Sequence, residues 1–363
     1  MNKALAEDKL KVGISIGDIN GVGPEIILKT FSESLLLDLV TPVIYGSSRV
    51  LSFYKKSVGI EEFNFNSVKN ADEAVAKKVN VVNCWQDDVK VEPGLSSENG
   101  AKYAVIALQA ATDDLMAGKI HCLVTAPIDK SHLETQQFQF PGHTEYLGQR
   151  ANSEPLMIMV HDHLRVALVT GHIALKDIPA QLTTQKIFRK LQLFHQSLVT
   201  DFSIRRPRIA VLSLNPHAGD GGRFGNEEET VIGPAIRQAF QKNMLVMGPY
   251  PADGFFASES YRNYDGVLAM YHDQGLIAFK TISAIHGVNF TAGLPFIRTS
   301  PDHGSAFDIA GKNLANESAF REAVYMACDL YMTRKNNKEY ARNPLRRLSQ
   351  DLEQREDEDI KAD

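Results

Sequence analysis

Cysteine and tryptophan are scarce in this 363-residue chain, with three of the first and one of the second. Cys84, Cys122 and Cys328 are scattered and form no C-x-x-C pair. A disulfide framework and a cysteine metal site are therefore disfavoured, and the thiols read as reduced cysteines of a cytosolic protein. Positive charge is not in excess: 39 Lys and Arg stand against 44 Asp and Glu, a formal net charge of -5. That balance offers no basic face for nucleic acid. No apolar run approaches the length of a membrane span. The charged stretch from Met1 to Lys11 has no apolar core of signal-peptide length. No internal repeat is found. What remains is an ordinary soluble composition, 44% hydrophobic and 23% charged, long enough for one large or two smaller α/β domains.

Elements of the two kinds alternate along the chain. Val12–Ile16 reads as a first strand, followed by the turn Gly17–Gly23. Pro24 then opens a helix, where its missing N–H costs nothing. Thr41–Tyr45, Val79–Val82 and His121–Thr125 are further strands, and Asn99–Ala117 carries apolar residues at helical spacing. Leu156–Val160 and Arg165–Thr170 flank a short link and read as a hairpin. Gln185–Val199 is an amphipathic helix, Arg208–Leu214 a strand, and Glu227–Lys242 a helix with acid at its start. Gly287–Gly311 reads as turn-rich, and a last helix is expected near Glu317–Met332. From Thr333 the sequence is crowded with charge and reads as a solvated helical or disordered tail. The class is α/β with a largely parallel sheet, and the hairpin suggests a second, mixed sub-domain.

Three apolar runs stop at a histidine in a polar or glycine-rich turn: Leu168–His172, Val211–His217 and Val267–His272. Open α/β sheets place their sites beyond the carboxyl ends of such strands. Imidazole is the commonest protein ligand for a borderline divalent metal. One such histidine is usually hydrogen-bonded structure; three in a similar setting point to an open metal site with room for substrate. Two other histidines share this setting. His143 sits in Pro141-Gly142-His143-Thr144-Glu145, where a His-Thr pair on a loop suits a carboxylate or phosphate, or Thr144 simply caps a helix. His303 sits beside Asp302, which can fix its tautomer, or the pair is a local turn.

The glycine turn at 17–23 does not have the spacing of a dinucleotide loop, and Glu25 places a carboxylate where a pyrophosphate would approach. It reads as a tight structural turn. The run Asn215–Gly225 is rich enough in glycine for its amides to approach a ligand. Glu227-Glu228-Glu229 reads as a solvated helix start. Lys280, Asn289 and Arg298 adjoin apolar runs, where a buried cation needs an anionic partner. Arg298 can grip phosphate or carboxylate with two bonds, and Lys280 acts as a point charge. Asp253 and Asp273 are candidate acids or bases, or turn-forming aspartates.

In order along the chain stand Gly17-Asp18, Gly21-Val22-Gly23-Pro24-Glu25, Thr125–Lys130, Pro141–Glu145, Leu214–Gly219, Tyr271–Gly275 and Gly293–Ser300. This set resembles the 4-hydroxythreonine-4-phosphate dehydrogenases of vitamin B6 biosynthesis over roughly residues 11–330. The family pattern has Pro-Ala where this chain has Ile19-Asn20, and the charged tail is extra to it. The resemblance implies a fold similar to isocitrate and isopropylmalate dehydrogenases, two α/β sub-domains flanking a cleft with no Rossmann fingerprint. The implied division is 1–145 plus 290–335, then 146–289 with dimer contacts, then a tail at 336–363. It implies a cytoplasmic homodimer with a site shared between subunits. One divalent metal (Zn, Mg, Co or Mn) is expected on His172, His217 and His272, drawn from both subunits. Substrate is expected on His143, Thr144, Lys280, Asn289 and Arg298, with Lys280, Asp253 and Asp273 as the catalytic candidates. NAD is the implied oxidant, without assignable contacts.

The implied reaction oxidises 4-phosphooxy-L-threonine and removes CO2, giving 3-amino-2-oxopropyl phosphate for pyridoxal 5'-phosphate synthesis. Two rivals share much of this pattern. A four-carbon acid-sugar phosphate dehydrogenase, acting on erythronate or threonate 4-phosphate, has the same metal and cation sets. A phosphate acetyltransferase-like acyltransferase uses a similar two-domain cleft but needs no metal triad. A non-catalytic phosphate- or metal-binding protein is disfavoured by the pairing of cations with possible acids.

Overall fold

The computed structural model describes residues 9–342, apart from 33, 134–137, 139 and 141. Among the described residues the strands are β1 (Leu10–Ser15), β2 (Val40–Gly46), β3 (Phe65–Val68), β4 (Val79–Asn83), β5 (Cys122–Thr125) and β6 (Leu156–His161). They continue with β7 (Leu164–Leu168), β8 (Arg208–Leu212), β9 (Leu245–Tyr250), β10 (Gly266–Ala269), β11 (Val288–Ala292) and β12 (Ile297–Pro301). All join one sheet in the order β3-β4-β2-β1-β5-β12-β11-β6-β7-β10-β8-β9. Pairing is parallel in both wings and antiparallel only across β12/β11, β11/β6 and β6/β7. The fold is mixed α/β around a large sheet. β11 crosses the 289/290 boundary expected from the sequence and ties the two wings together.

The second wing shows why its strands read as unbroken apolar runs. Ile158, Val160, Ala167, Ile209, Val211 and Leu268 enter the main core. Their alternates Met159, Val166, Leu168, Ala210, Leu212, Val267 and Ala269 enter a second core, closed by Phe255, Leu276 and Phe279. A strand that must be apolar on both faces loses the alternation of a half-exposed one. The helix Glu98–Met116 packs on β1, β2 and β5, and Ser318–Arg342 on β5, β11 and β12. The helix His272–Ser283 covers β7 and β10. Its Gly275 permits the approach, because a Cβ there would lie 2.9–3.0 Å from Val166, Ala269 and Leu168. Among the described residues no helix is long and apolar enough to cross a membrane.

Several expectations need correction. Gly287–Gly311 is not mainly turns: it contains β11 and β12, in the middle of the sheet. Their polar residues Asn289, Thr291 and Arg298 interrupt the apolar signal because they serve a cavity. The helix expected over 227–242 is a single wide turn, Glu228–Ile232, followed by Gly233–Gln241, with Pro234 at the junction. The last helix runs ten residues beyond Met332, to Arg342. Arg334 bonds Asp201 at 2.6 Å and Asn337 donates to the Thr200 carbonyl at 2.9 Å, so this part of the charged stretch is anchored. Residues 343–363 of the expected tail lie outside the described residues.

The first glycine turn is structural, as read. Gly17 has φ +75°, and a Cβ there would meet the Pro127 carbonyl oxygen at 2.4 Å. Glu25 is fully buried and accepts hydrogen bonds from Lys29 Nζ (2.9 Å), Gly311 N (3.1 Å) and Ala315 N (3.0 Å). Its carboxylate ties the first helix to the segment before the last one.

Candidate active site

Strands β7 and β10 are parallel neighbours, and their pairing continues past the strand ends through Val169 N to Ala269 O and Thr170 N to Met270 O. The chain then turns out through Gly171, presenting His172. On the neighbouring strand it passes through extended Tyr271 into the helix that begins at His272. Gln274 fixes this helix start by accepting from Met270 N at 2.7 Å and donating to the Ser213 carbonyl at 2.5 Å. The two imidazoles meet with ring centroids 5.2 Å apart. His272, Leu276 and Lys280 stand four residues apart on one helix face. All three line a cavity of about 510 Å³ together with His143, Thr144, Asn289 and Arg298.

Arg298 sits in the middle of β12 and is 2% exposed. Its Nε and Nη2 donate to Thr125 Oγ1 at 3.1 and 2.6 Å, and its Nη1 donates to Thr291 Oγ1 at 3.0 Å. Among the described residues no carboxylate hydrogen-bonds it. Burial pushes its pKa well below the ordinary guanidinium range, to about 9, and the nearby Glu145 carboxylate opposes this. A guanidinium held among hydroxyls inside a cavity is a built receptor for an anion. Asn289 reaches the same space from β11, opposite Ser300 of β12 and Met159 of β6.

The cavity also carries buried polar atoms without hydrogen-bond partners among the described residues: His143 Nε2, Asn289 Oδ1, Asp302 Oδ2 and His303 Nε2. Burial, with Arg298 and Lys130 beside it, holds the His143 pKa well below the usual range. It therefore enters as a neutral imidazole. His172 is likewise lowered by burial and by Lys130 and His272. Such atoms fit a polar, anionic guest.

The residues fit a metal in part. His172 is kept neutral, the form that ligates. His272 Nδ1 lies 2.7 Å from Asp273 Oδ1, which holds the proton on Nδ1 and leaves Nε2 as the lone-pair donor. The third histidine does not join them. His217 lies in a turn after β8 with left-handed backbone at His217, Ala218 and Asp220. It is absent from the cavity lining, and among the described residues no three His, Cys, Asp or Glu side chains of one chain form a metal cluster. Glu228, expected to be solvated, is buried instead. It accepts from Leu214 N and Asn215 N, both at 2.8 Å, and so clamps the glycine-rich loop.

The structure thus brings together His143, Thr144, His172, His272, Lys280, Asn289 and Arg298. Asp253 is exposed on the short helix Ala252–Ala257 and lies outside the cavity. Asp273 is 73% exposed and touches the site through His272. Lys130, Glu145, Thr125 and Thr291 are cavity or supporting residues that the single sequence did not mark. Two threonines in strands look like ordinary β-formers, and only the sheet register reveals that they clasp Arg298.

An α/β protein with an anion-receiving cavity, two imidazoles and an adjacent lysine belongs to the class of enzymes that act on small phosphorylated or carboxylated substrates. The pyridoxal phosphate biosynthetic protein PdxA family model matches residues 38–327. The chain belongs to that family. It is 48% identical over 357 residues to the 4-hydroxythreonine-4-phosphate dehydrogenase of Bacteroides thetaiotaomicron, covering 98% of this chain and 97% of the relative. It is 36% identical to a protein of Oceanobacillus iheyensis named for D-threonate 4-phosphate dehydrogenation, with 89% and 98% covered. The crystal structure of the Klebsiella pneumoniae 4-hydroxythreonine-4-phosphate dehydrogenase is similar with a TM-score of 0.78 and 31% identity, covering 90% of this chain and 99% of that one.

Proposed function

We propose that the chain is a dehydrogenase that oxidises 4-phosphooxy-L-threonine with NAD and releases CO2, giving 3-amino-2-oxopropyl phosphate for pyridoxal 5'-phosphate synthesis. The single observation that carries this reading is Arg298, a buried guanidinium that no carboxylate hydrogen-bonds among the described residues, lining a cavity rich in orphaned polar atoms. The relatives' names supply the substrate. His143, Thr144, Lys280, Asn289 and Arg298 bind its anionic and polar groups.

His172 and His272 would hold a divalent metal, completed by His217 of a second copy. When bound, such a metal supplies a Lewis acid for the hydroxyl and NAD supplies the oxidant. Leu156, Met157, Met159 and Leu276 give the cavity an apolar wall, chemistry suited to a flat nicotinamide ring. The homodimer is supported by exposed apolar side chains on the segments that carry the histidines: Ile173 (41%) next to His172, Ile277 (68%) on the helix that begins at His272, and Phe224 (50%), its ring 6.2 Å from that of His217. The unpaired cysteines suit a reducing cytoplasm.

The test compares NADH formation from 4-phosphooxy-threonine and threonate 4-phosphate, with and without chelator. A higher kcat/KM for the amine-bearing substrate, abolished by metal removal, is expected. Preference for threonate 4-phosphate assigns the chain to the acid-sugar branch, and turnover insensitive to complete metal removal refutes the metal-dependent reading.

A further inference from the structure

Of the three catalytic candidates taken from the sequence, Asp253 and Asp273 are exposed, and Lys280 has its Nζ bound to the backbone carbonyl of Asp302 at 3.0 Å. Among the described residues three carboxyl groups line the cavity, those of Glu145, Glu154 and Asp302; Glu154 is bound to Arg189 and Lys190, and the one beside Lys280 and Asn289 is Asp302. It follows β12, four residues after Arg298, and lines the cavity with Lys280, Asn289 and His303. Its Oδ2 is buried and has no hydrogen-bond partner among the described residues. The carboxyl leans on the backbone of Gly287, whose carbonyl accepts from Asp302 N at 3.2 Å. A Cβ at Gly287 would lie 2.4 Å from Oδ2 and 2.7 Å from Cγ. The fold thus keeps a niche for this carboxyl that any side chain at 287 would fill.

We infer that Asp302 is the proton acceptor and donor of the reaction, taking the hydroxyl proton of the substrate and returning it to carbon. The assignment rests on the dehydrogenase reading above. Oxidation of the carbinol passes its C–H hydrogen and electron pair to the oxidised nicotinamide, while the O–H proton moves to the Asp302 carboxylate. Loss of CO2 breaks the neighbouring C–C bond and leaves its electron pair on carbon, which takes a proton back. One proton is released and one consumed, so a single carboxyl that holds the proton between the two steps closes the balance.

The surroundings suit that task. Burial raises the Asp302 pKa, opposed by the charges of Lys280 on the covering helix, of His303 next in the chain and of His161 at the end of β6. A carboxyl whose pKa is raised by burial is a better proton carrier than an exposed one. Lys280 then serves as the fixed neighbouring charge that favours the Asp302 carboxylate.

The decisive variants are Asp302→Asn, which keeps the shape and loses the titrating group, and Gly287→Ala, which displaces the carboxyl from its niche. For Asp302→Asn, kcat is expected to fall by about 100-fold or more, with KM changed less than about threefold and the acid limb of the kcat pH profile lost. Gly287→Ala is expected to lower kcat in the same direction. An infrared pH titration of ligand-free protein supplies a readout independent of turnover: a protonated-carboxyl band of the wild type is absent from Asp302→Asn. An active wild type whose Asp302→Asn variant keeps kcat and its pH profile overturns the assignment alone. An unchanged infrared titration in that variant also overturns it. A wild type that makes no NADH from either phosphorylated substrate overturns the dehydrogenase reading together with it.

Discussion

Replacing Arg298 by methionine separates binding from stability, because the two effects run in opposite directions. The folded pKa of about 9 lies well below that of an ordinary guanidinium, so the folded chain holds this proton less tightly. The resulting cost is fully present below about pH 9 and is relieved only as pH rises from there toward the ordinary value. On the scale of about 1.36 kcal/mol per pH unit it is about 5 kcal/mol. Arg298→Met removes that cost and leaves the hydroxyls of Thr125 and Thr291 without their donor, about 1–3 kcal/mol each. The ligand-free variant is therefore expected to unfold at the wild-type temperature or a few degrees above it. Substrate binding goes the other way. Losing a charged, desolvated contact costs about 2–5 kcal/mol, roughly a 30- to 5,000-fold drop in kcat/KM. Thermal unfolding with and without inorganic phosphate, alongside initial rates of NADH formation, reads both. A variant that melts well below the wild type while kcat/KM changes less than about threefold would show that Arg298 is a structural strut, and the anion-receptor argument would fail.

Asp18 is fully buried, its Oδ2 has no hydrogen-bond partner among the described residues, and its pKa is raised to about 6, chiefly by burial. Its ionisation costs nothing below about pH 4 and the full penalty, about 3 kcal/mol, above pH 6. Asp18→Asn, which can still accept from Asn20 N, should raise the unfolding temperature at pH 7 and leave it nearly unchanged at pH 4; equal shifts at both would contradict the burial argument. Glu25→Ala leaves the Lys29 ammonium with the Ala315 carbonyl alone and takes the acceptor from the Gly311 and Ala315 amides, and should cost about 3–5 kcal/mol in urea unfolding. A loss under about 1 kcal/mol would mean that the knot contributes little.

The sequence revealed the α/β class wherever apolar content was continuous: β1, β2, β4, the β6–β7 hairpin, β8 and β10 all lie where periodicity put them. It failed where function displaced hydrophobicity. β11 and β12 carry Asn289, Thr291 and Arg298 on strands buried in mid-sheet, and that polarity disguised them as turns. Lys280, Asn289 and Arg298 were visible as cations and amides beside apolar runs. Their convergence depends on the register of β11 with β12 and on the helix starting at His272, neither of which local pattern encodes. Glu228 misled for a related reason: three consecutive glutamates look solvated, yet one turns inward to satisfy two amides. The three histidines shared a setting but not a place, since the turn after β8 carries His217 away from the other two.

That separation gives the most direct test of the central claim, that one chain holds an incomplete metal site and a second copy supplies His217. His172→Ala and His217→Ala proteins are prepared separately, then unfolded, mixed and refolded together. In a twofold dimer with shared sites, half of the randomly assembled dimers are mixed and each regains one intact site. The account predicts almost no NADH formation by either variant alone and about a quarter of the wild-type rate for the mixture. A mixture as inactive as its two components, from a wild type that survives the same refolding, would contradict it.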